Sequence, residues 1–350
     1  MTQDNLKVKK YKSRRSPQVV EGPRALKKYK TGLVVGKFYP PHKGHHYLID
    51  SALEKADQVT VAVCYRKEET IPWKLRAKWI KEIHPKAKVI LVKDIAVDAS
   101  SADWAEYTKK FLGYVPDAVF TSEDYGTTWA QCLGCDHVLV DRDRTKIPIS
   151  GTKVRQNPLA ALEFLEPCVR AYFVKRICIV GAESTGTTTL TQDLAKHYHT
   201  TWVPEYGRTY YEGKMFGENT AQWSTQEFIH IAHMQTMMED QLARTSNKIL
   251  ICDTDSFATS IWHERYVGHS ARSVDELSSG RHYDHYILTD TDIPFVQDGT
   301  RDGEHIRQQM HEQFIARLSE LGKPFTIVSG SREARLKVAI GICDRVLMHK

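Results

Sequence analysis

The sequence predicts an α/β protein made of two doubly wound parallel-sheet domains, and three observations carry that expectation. Short apolar runs alternate with helix-length segments through both halves of the chain, the pattern of parallel strands joined by crossover helices. Two strand-to-helix turns, Gly36 to His46 and Gly181 to Thr189, are dense in Gly with His or Thr. Such turns hold phosphates, because a helix start presents unpaired N–H groups and glycine lets the backbone approach an anion. The 350 residues suffice for two medium domains, each with its own core.

Residues 1–30 read as a basic flexible tail, with ten Lys or Arg against Asp4 and Glu21. The formal charge of +6 therefore belongs to the tail, and the rest of the chain is slightly acidic. That balance argues against a nucleic-acid-binding body. The tail lacks the apolar core of a signal peptide, no apolar stretch has the length of a membrane span, and seven scattered cysteines suggest no disulfide framework. A cytoplasmic protein without a membrane partner is expected. Cys132 and Cys135 make a lone CxxC, read as two reduced thiols.

In residues 31–170, the first expected domain, strands are read at 33–35, 59–64, 88–92, 118–121 and 137–140, with helices at 46–56, 71–83 and 104–111. The first strand runs into Gly36, Lys37 and Phe38, then His42, Gly44 and His45. The two histidines stand three apart, so on one helical turn their rings share a face and can donate to the same phosphate oxygens. Later, Ser150 can cap a helix starting at Gly151, with Thr152 beside it and Arg155 one turn on, aimed at whatever the N–H groups hold.

Together, Gly36-Lys-Phe-x-Pro-x-His42-x-Gly-His45 and Ile149-Ser-Gly-Thr-x-x-Arg155 resemble the nucleotidyltransferase superfamily. The order of the whole chain is similar to the NadR family of two-domain NMN adenylyltransferase/ribosylnicotinamide kinases, over about residues 31–340. The resemblance implies that His42 and His45 bind the triphosphate and its transition state, that Gly36, Lys37 and Phe38 contact ATP, and that Ser150, Thr152 and Arg155 hold the β/γ end. It also implies that Trp104 stacks on nicotinamide. Magnesium is the expected companion of ATP.

Residues 171–350 form the second expected domain, entered through a junction at 167–175. A strand at 176–180 leads into Gly181-Ala-Glu-Ser-Thr-Gly186-Thr187-Thr188-Thr189, which has the spacing of a P-loop but carries Thr187 at the lysine position. Thr188 keeps the hydroxyl that ligates magnesium, with Asp253 expected beside it. A strand at 248–252 ends in Asp253 and Asp255; an apolar stretch precedes Glu205 and Arg208, the latter a candidate substrate contact. Phosphorylation of a hydroxyl needs a base, and Glu205, Asp253 and Asp255 are unranked candidates. The segment 298–307 resembles a lid in which Arg301 or Arg307 replaces the missing lysine charge. The domain is then a kinase with a substituted charge, a regulatory nucleotide-binding module, or a remnant fold.

These readings converge on NAD synthesis or salvage: ATP and NMN giving NAD and pyrophosphate in the first domain, and nicotinamide riboside phosphorylated to NMN in the second. The rivals are an adenylyltransferase with another acceptor such as phosphopantetheine, and a NAD- or ATP-sensing regulator. Specific DNA binding is not expected, because the roughly thirty residues before the first strand lack helical periodicity. A homo-oligomer is left open.

Overall fold

The computed structural model describes residues 28–95, 99–217 and 222–348. The first half runs β1 (Tyr29–Gly36), α1 (Lys43–Lys55), β2 (Ala56–Tyr65), α2 (Trp73–Ile83), β3 (Lys88–Lys93), α3 (Ser101–Leu112), β4 (Ala118–Thr121), α4 (Tyr125–Leu133), β5 (Asp136–Leu139), α5 (Gly151–Gln156) and α6 (Pro167–Phe173). Its sheet has the order β3-β2-β1-β4-β5, parallel throughout. Val34, Ile49, Val61 and Phe120 pack on one face, and Leu33, Val119, Ala105 and Trp129 on the other. Burial on both faces explains why these strands read as unbroken apolar runs. The strand order reverses between β1 and β4, and at such a switch point the strand ends leave a crevice for ligands. The turn after β1 lies there.

Tyr29 and Lys30, read above as tail, begin β1; Tyr29 is buried and its hydroxyl donates to Asp136 at 3.0 Å. The rest of the basic tail, residues 1–27, lies outside the described residues.

The second half runs β6 (Lys175–Val180), α7 (Thr187–His197), β7 (Trp202–Val203), α8 (Tyr206–Lys214), α9 (Thr225–Leu242), β8 (Ile249–Asp253), α10 (Ser256–Val267), α11 (Arg272–Ser279), β9 (His285–Thr289), α12 (Arg307–Glu320), β10 (Phe325–Val328) and α13 (Arg332–Met348). The sheet order is β10-β9-β6-β8-β7, again parallel. Ile177, Ile179, Ile251 and Ile287 face α7 and α13, while Cys178, Leu250 and Leu288 face α10 and α12. Helices α4, α6, α8, α10, α11, α12 and α13 go beyond the sequence reading. For α10 the reason is visible: Phe257, Ala258, Thr259, Ser260, Ile261 and His263 are all buried, so the segment has no solvent stripe to give it a helical period.

The junction helix α6 belongs by packing to the first half, since Cys168 and Val169 join Ile71, Trp79 and Ile149 in one cluster. Across the junction Arg244 donates to Glu82 at 2.5 Å. No helix among the described residues is long and apolar enough to cross a membrane.

Candidate functional site

The first cleft is built on the turn after β1. His42 is the residue before α1; its carbonyl accepts from the His45 and His46 N–H groups at 2.8 and 3.1 Å, which starts the helix. Its ring does not cap the helix but stacks on His45, with centroids 3.7 Å apart and planes at 26°. Burial, helped by Arg144, pushes His42 down to about 4. Burial and the neighbouring His42, His46 and Arg144 hold His45 well below the ordinary imidazole value. Both rings are therefore neutral near pH 7, and the Nδ1 of each is buried without a partner. Phe38, at φ +46°, is buried beneath the turn, edge-on to His45 with centroids 5.1 Å apart.

The second motif closes on the first. Ser150 caps α5 by accepting the Lys153 N–H at 3.3 Å. Arg155 donates to the Tyr39 carbonyl at 2.5 Å and to Thr152 Oγ1 at 3.2 Å, with its guanidinium 4.6 Å from the centre of the Tyr39 ring. Gly151 is required here, because a Cβ would lie 2.8 Å from the Tyr39 oxygen. His45, Lys37, Ser150, Thr152 and Arg155 thus line one open cleft, with His42 directly behind His45. Arg66 and Arg144 also line it and escaped the sequence reading. Lys37 is held by Glu69 and Asp94 at 3.2 and 3.4 Å, and Arg66 donates to Asp94 at 2.7 Å.

Trp104 sits in a separate, mostly apolar pocket with Val35, Ser101, Tyr125 and Trp129, reached from the carboxyl end of β1. Helix α3 is fixed there by a capping box in which Ser100 and Asp103 satisfy each other's N–H groups. Tyr125 and Trp129 come from α4, whose four-residue spacing puts both rings on one face.

The second cleft forms around the turn after β6. Gly186, at φ +84°, lets the loop wrap into α7. Gly181, Gly186, Thr187, Thr188 and Thr189 line the cleft together with Glu205, Arg208, Asp253 and Arg301. Thr188 Oγ1 donates to Asp253 at 2.5 Å. Burial pushes Asp253 up to about 6, against hydrogen bonds from Thr188 and Thr187. Burial, with Asp253 and Glu183 close by, pushes Glu205 up to about 8. An aromatic wall faces the loop: Tyr211, Trp223, Phe228, Trp262 and Tyr266. Its one sequence signal is the four-residue spacing of Trp262 and Tyr266 on α10.

Two expectations are corrected by this geometry. Asp255 does not line the cleft; it caps α10, with Oδ1 accepting the Ala258 N–H at 2.9 Å and Oδ2 the Tyr286 hydroxyl at 2.7 Å. The intervening Thr254, at φ +68°, turns the chain so that carboxylates two residues apart face different ways. Arg307 likewise lies off the cleft, donating to the carbonyls of Ser184 and Ile293 at 3.3 and 3.0 Å.

Two family models match separate stretches of the chain. A cytidylyltransferase-like family model covers residues 33–157, and an AAA domain model covers residues 176–335. The trifunctional NAD biosynthesis/regulator protein NadR of Salmonella typhimurium is 31% identical over 307 residues, spanning 81% of this chain and 73% of that protein. That of Escherichia coli is 30% identical over 315 residues, 83% and 76% of the two chains. The chain belongs to the NadR family.

Solved structures agree in fold: a NadR protein in complex with NR superposes with a TM-score of 0.73 at 20% identity, covering 91% of this chain and 96% of that one. A NadR protein in complex with NAD and AMP-PNP gives 0.70 at 19% identity, covering 93% and 98%. Within this NadR-family chain, the side chains of the first cleft come from two turns about 110 residues apart and from the loops that carry Arg66 and Arg144. Those of the second come from the loop, α8, α9, β8, α10 and the segment before α12.

Proposed function

We propose that the first domain transfers the adenylyl group of ATP to NMN, giving NAD and pyrophosphate, and that the second phosphorylates nicotinamide riboside to NMN. The observation that carries the first assignment is the closure of the Ser150–Arg155 turn onto the His42–His45 turn beside the aromatic Trp104 pocket. The nucleophile is the 5′-phosphate of NMN, largely ionised at neutral pH because its second pKa is about 6, so no protein base is needed. The residues have two tasks: to align that phosphate with the α-phosphorus and to stabilise charge on the departing pyrophosphate. Neutral His45 offers one N–H and gains a second when a bound polyanion draws a proton to it. Arg155 and the N–H groups of α5 take the β/γ end, and Trp104 with Trp129 sandwiches the nicotinamide.

In the second cleft the ribosyl 5′-hydroxyl must lose a proton. Glu205, raised towards neutral pH, is suited to accept it, and the aromatic wall is suited to a cationic pyridinium ring. Thr188 and Asp253 present hard oxygen donors in contact with each other, so they fit magnesium; the ion would offset negative charge on the ATP phosphates. Thr187 in place of lysine favours a second reading, a nucleotide-binding domain that regulates instead of catalysing. Incubation with nicotinamide riboside, ATP and magnesium separates the two: NMN formation supports the kinase, and ATP binding without NMN supports the regulator.

A further inference from the structure

We propose that Arg301 supplies the positive charge that the P-loop lacks at Thr187, and that the loop itself fixes this arginine by clasping the segment that carries it. The inference rests on the kinase reading of the second domain. Among the described residues that line the cleft, Arg208 and Arg301 are the cations. Arg208 is committed at the rim, donating to Glu212 at 3.0 Å and Asp298 at 2.6 Å. Arg301 is also tied, to the Val296 carbonyl at 2.5 Å and to Asp298 at 3.3 Å, but it reaches the loop itself, with Nη1 3.3 Å from Ser184 Oγ.

The clasp brackets Arg301 from both sides. Before it, the Val296 N–H donates to Ser184 Oγ at 2.8 Å. After it, the N–H groups of Asp302 and Gly303 donate to Glu183 Oε2 at 3.1 and 2.7 Å, while Arg265 of α10 donates to Oε1 at 2.8 Å. A Cβ at Gly303 would come 2.9 Å from the same carboxylate, so the backbone lies close against it. Two consecutive loop residues thus hold the backbone on either side of one arginine. Asp298 completes the arrangement. Against burial, hydrogen bonds from Thr300 and Arg208 and the charge of Arg301 hold its carboxyl well below the usual range. It spans the two arginines at 2.6 and 3.3 Å.

A lysine inside the loop is a permanent part of the nest, whereas a charge on a clasped segment is present only while the segment is closed. In this chain charge delivery and segment closure are one event, and Glu183 is the positioning residue that couples them.

The test is a rescue in the full-length chain. Arg301→Ala should lower kcat/KM for nicotinamide riboside phosphorylation by about 10²–10³-fold, as for loss of a preorganised charge. NAD formation from NMN and ATP in the first domain should stay unchanged as the control for folding. Adding Thr187→Lys to Arg301→Ala should recover at least about tenfold of that loss, an effect that restoring structure alone would not produce. Glu183→Ala should show the same dependence on Thr187→Lys, with Glu183→Gln milder. Turnover within about threefold of wild type in Arg301→Ala, or absence of rescue, overturns the assignment. If wild type makes no NMN, the kinase reading fails by itself, and the charge assignment is read on binding of a hydrolysis-resistant ATP analogue. Arg301→Ala should then weaken one of two equivalents by about tenfold, with recovery in the double variant; unchanged affinity overturns it.

Discussion

The turn after β1 presents side chains to its cleft, His45 stacked on His42 and opposite Arg155, and draws them from two motifs that touch at Gly151 and Tyr39. The turn after β6 presents glycines and hydroxyls, and among the described residues the cations that line its cleft, Arg208 and Arg301, come from outside the loop, on α8 and on the segment before α12. The ionisable groups differ accordingly. Burial holds the imidazoles of the first cleft down and neutral, and holds the carboxyls of the second up towards neutrality. On the proposed reading, the site whose reaction supplies its own nucleophile carries only stabilising groups, and the site that deprotonates a hydroxyl keeps a carboxylate poised near neutral pH.

If the two clefts work separately, the largest effect comes from removing the centre of each. His45→Ala should lower kcat for NAD formation by about 10³-fold while riboside phosphorylation stays within twofold, and Asp253→Asn should do the reverse. Loss of both activities in either variant would break the comparison. The next effect concerns Glu205. In wild type, kcat/KM for riboside phosphorylation should rise with pH to a plateau above about 8, because the deprotonated carboxylate is the active form. Glu205→Gln should flatten that rise and lower the plateau by about 10²-fold; an unchanged profile would hand the role to Asp253.

A smaller effect is expected at Trp104. Trp104→Ala should raise KM for NMN by about tenfold with kcat little altered, consistent with a stacking contribution of about 1–1.5 kcal/mol. The smallest effect is on stability. A carboxyl held up in the fold keeps a proton that the unfolded chain releases near pH 4.5, so its contribution is fully present in acid and is lost as pH rises towards 8. Glu205→Gln should therefore melt higher than wild type at pH 8, by about 2–4 °C per kcal/mol for a domain of this size, with the gap closing by pH 5. The imidazoles act in the opposite sense. His42 and His46, held down to about 4 and 3, cost stability as pH falls below 6.5, because the unfolded chain takes up protons there first. Calorimetric melts across pH 5–8 read both trends.

Much of this was legible in the sequence where the chemistry is local. Strand-turn-helix phosphate motifs are contiguous, so Gly36 to His45, Ser150 to Arg155 and Gly181 to Thr188 announce themselves along with both parallel sheets. What was hidden is assembled across distance. Tyr125 and Trp129 reach the Trp104 pocket from a helix whose Gly and Thr residues conceal it, and Arg66 and Arg144 enter the first cleft from loops without a motif. The clasp between Glu183 and Gly303 joins residues 120 apart. Asp253 and Asp255 looked equivalent in sequence, and only the positive φ at Thr254 separates a cleft residue from a helix cap.

The account stands most directly on one experiment: the full chain supplied with nicotinamide riboside, ATP and magnesium, with NMN and NAD followed together in time. NMN should appear first and NAD after it, and His45→Ala should stop the sequence at NMN. NAD accumulation in His45→Ala at the wild-type rate, or no NAD from wild type given NMN directly, would contradict it.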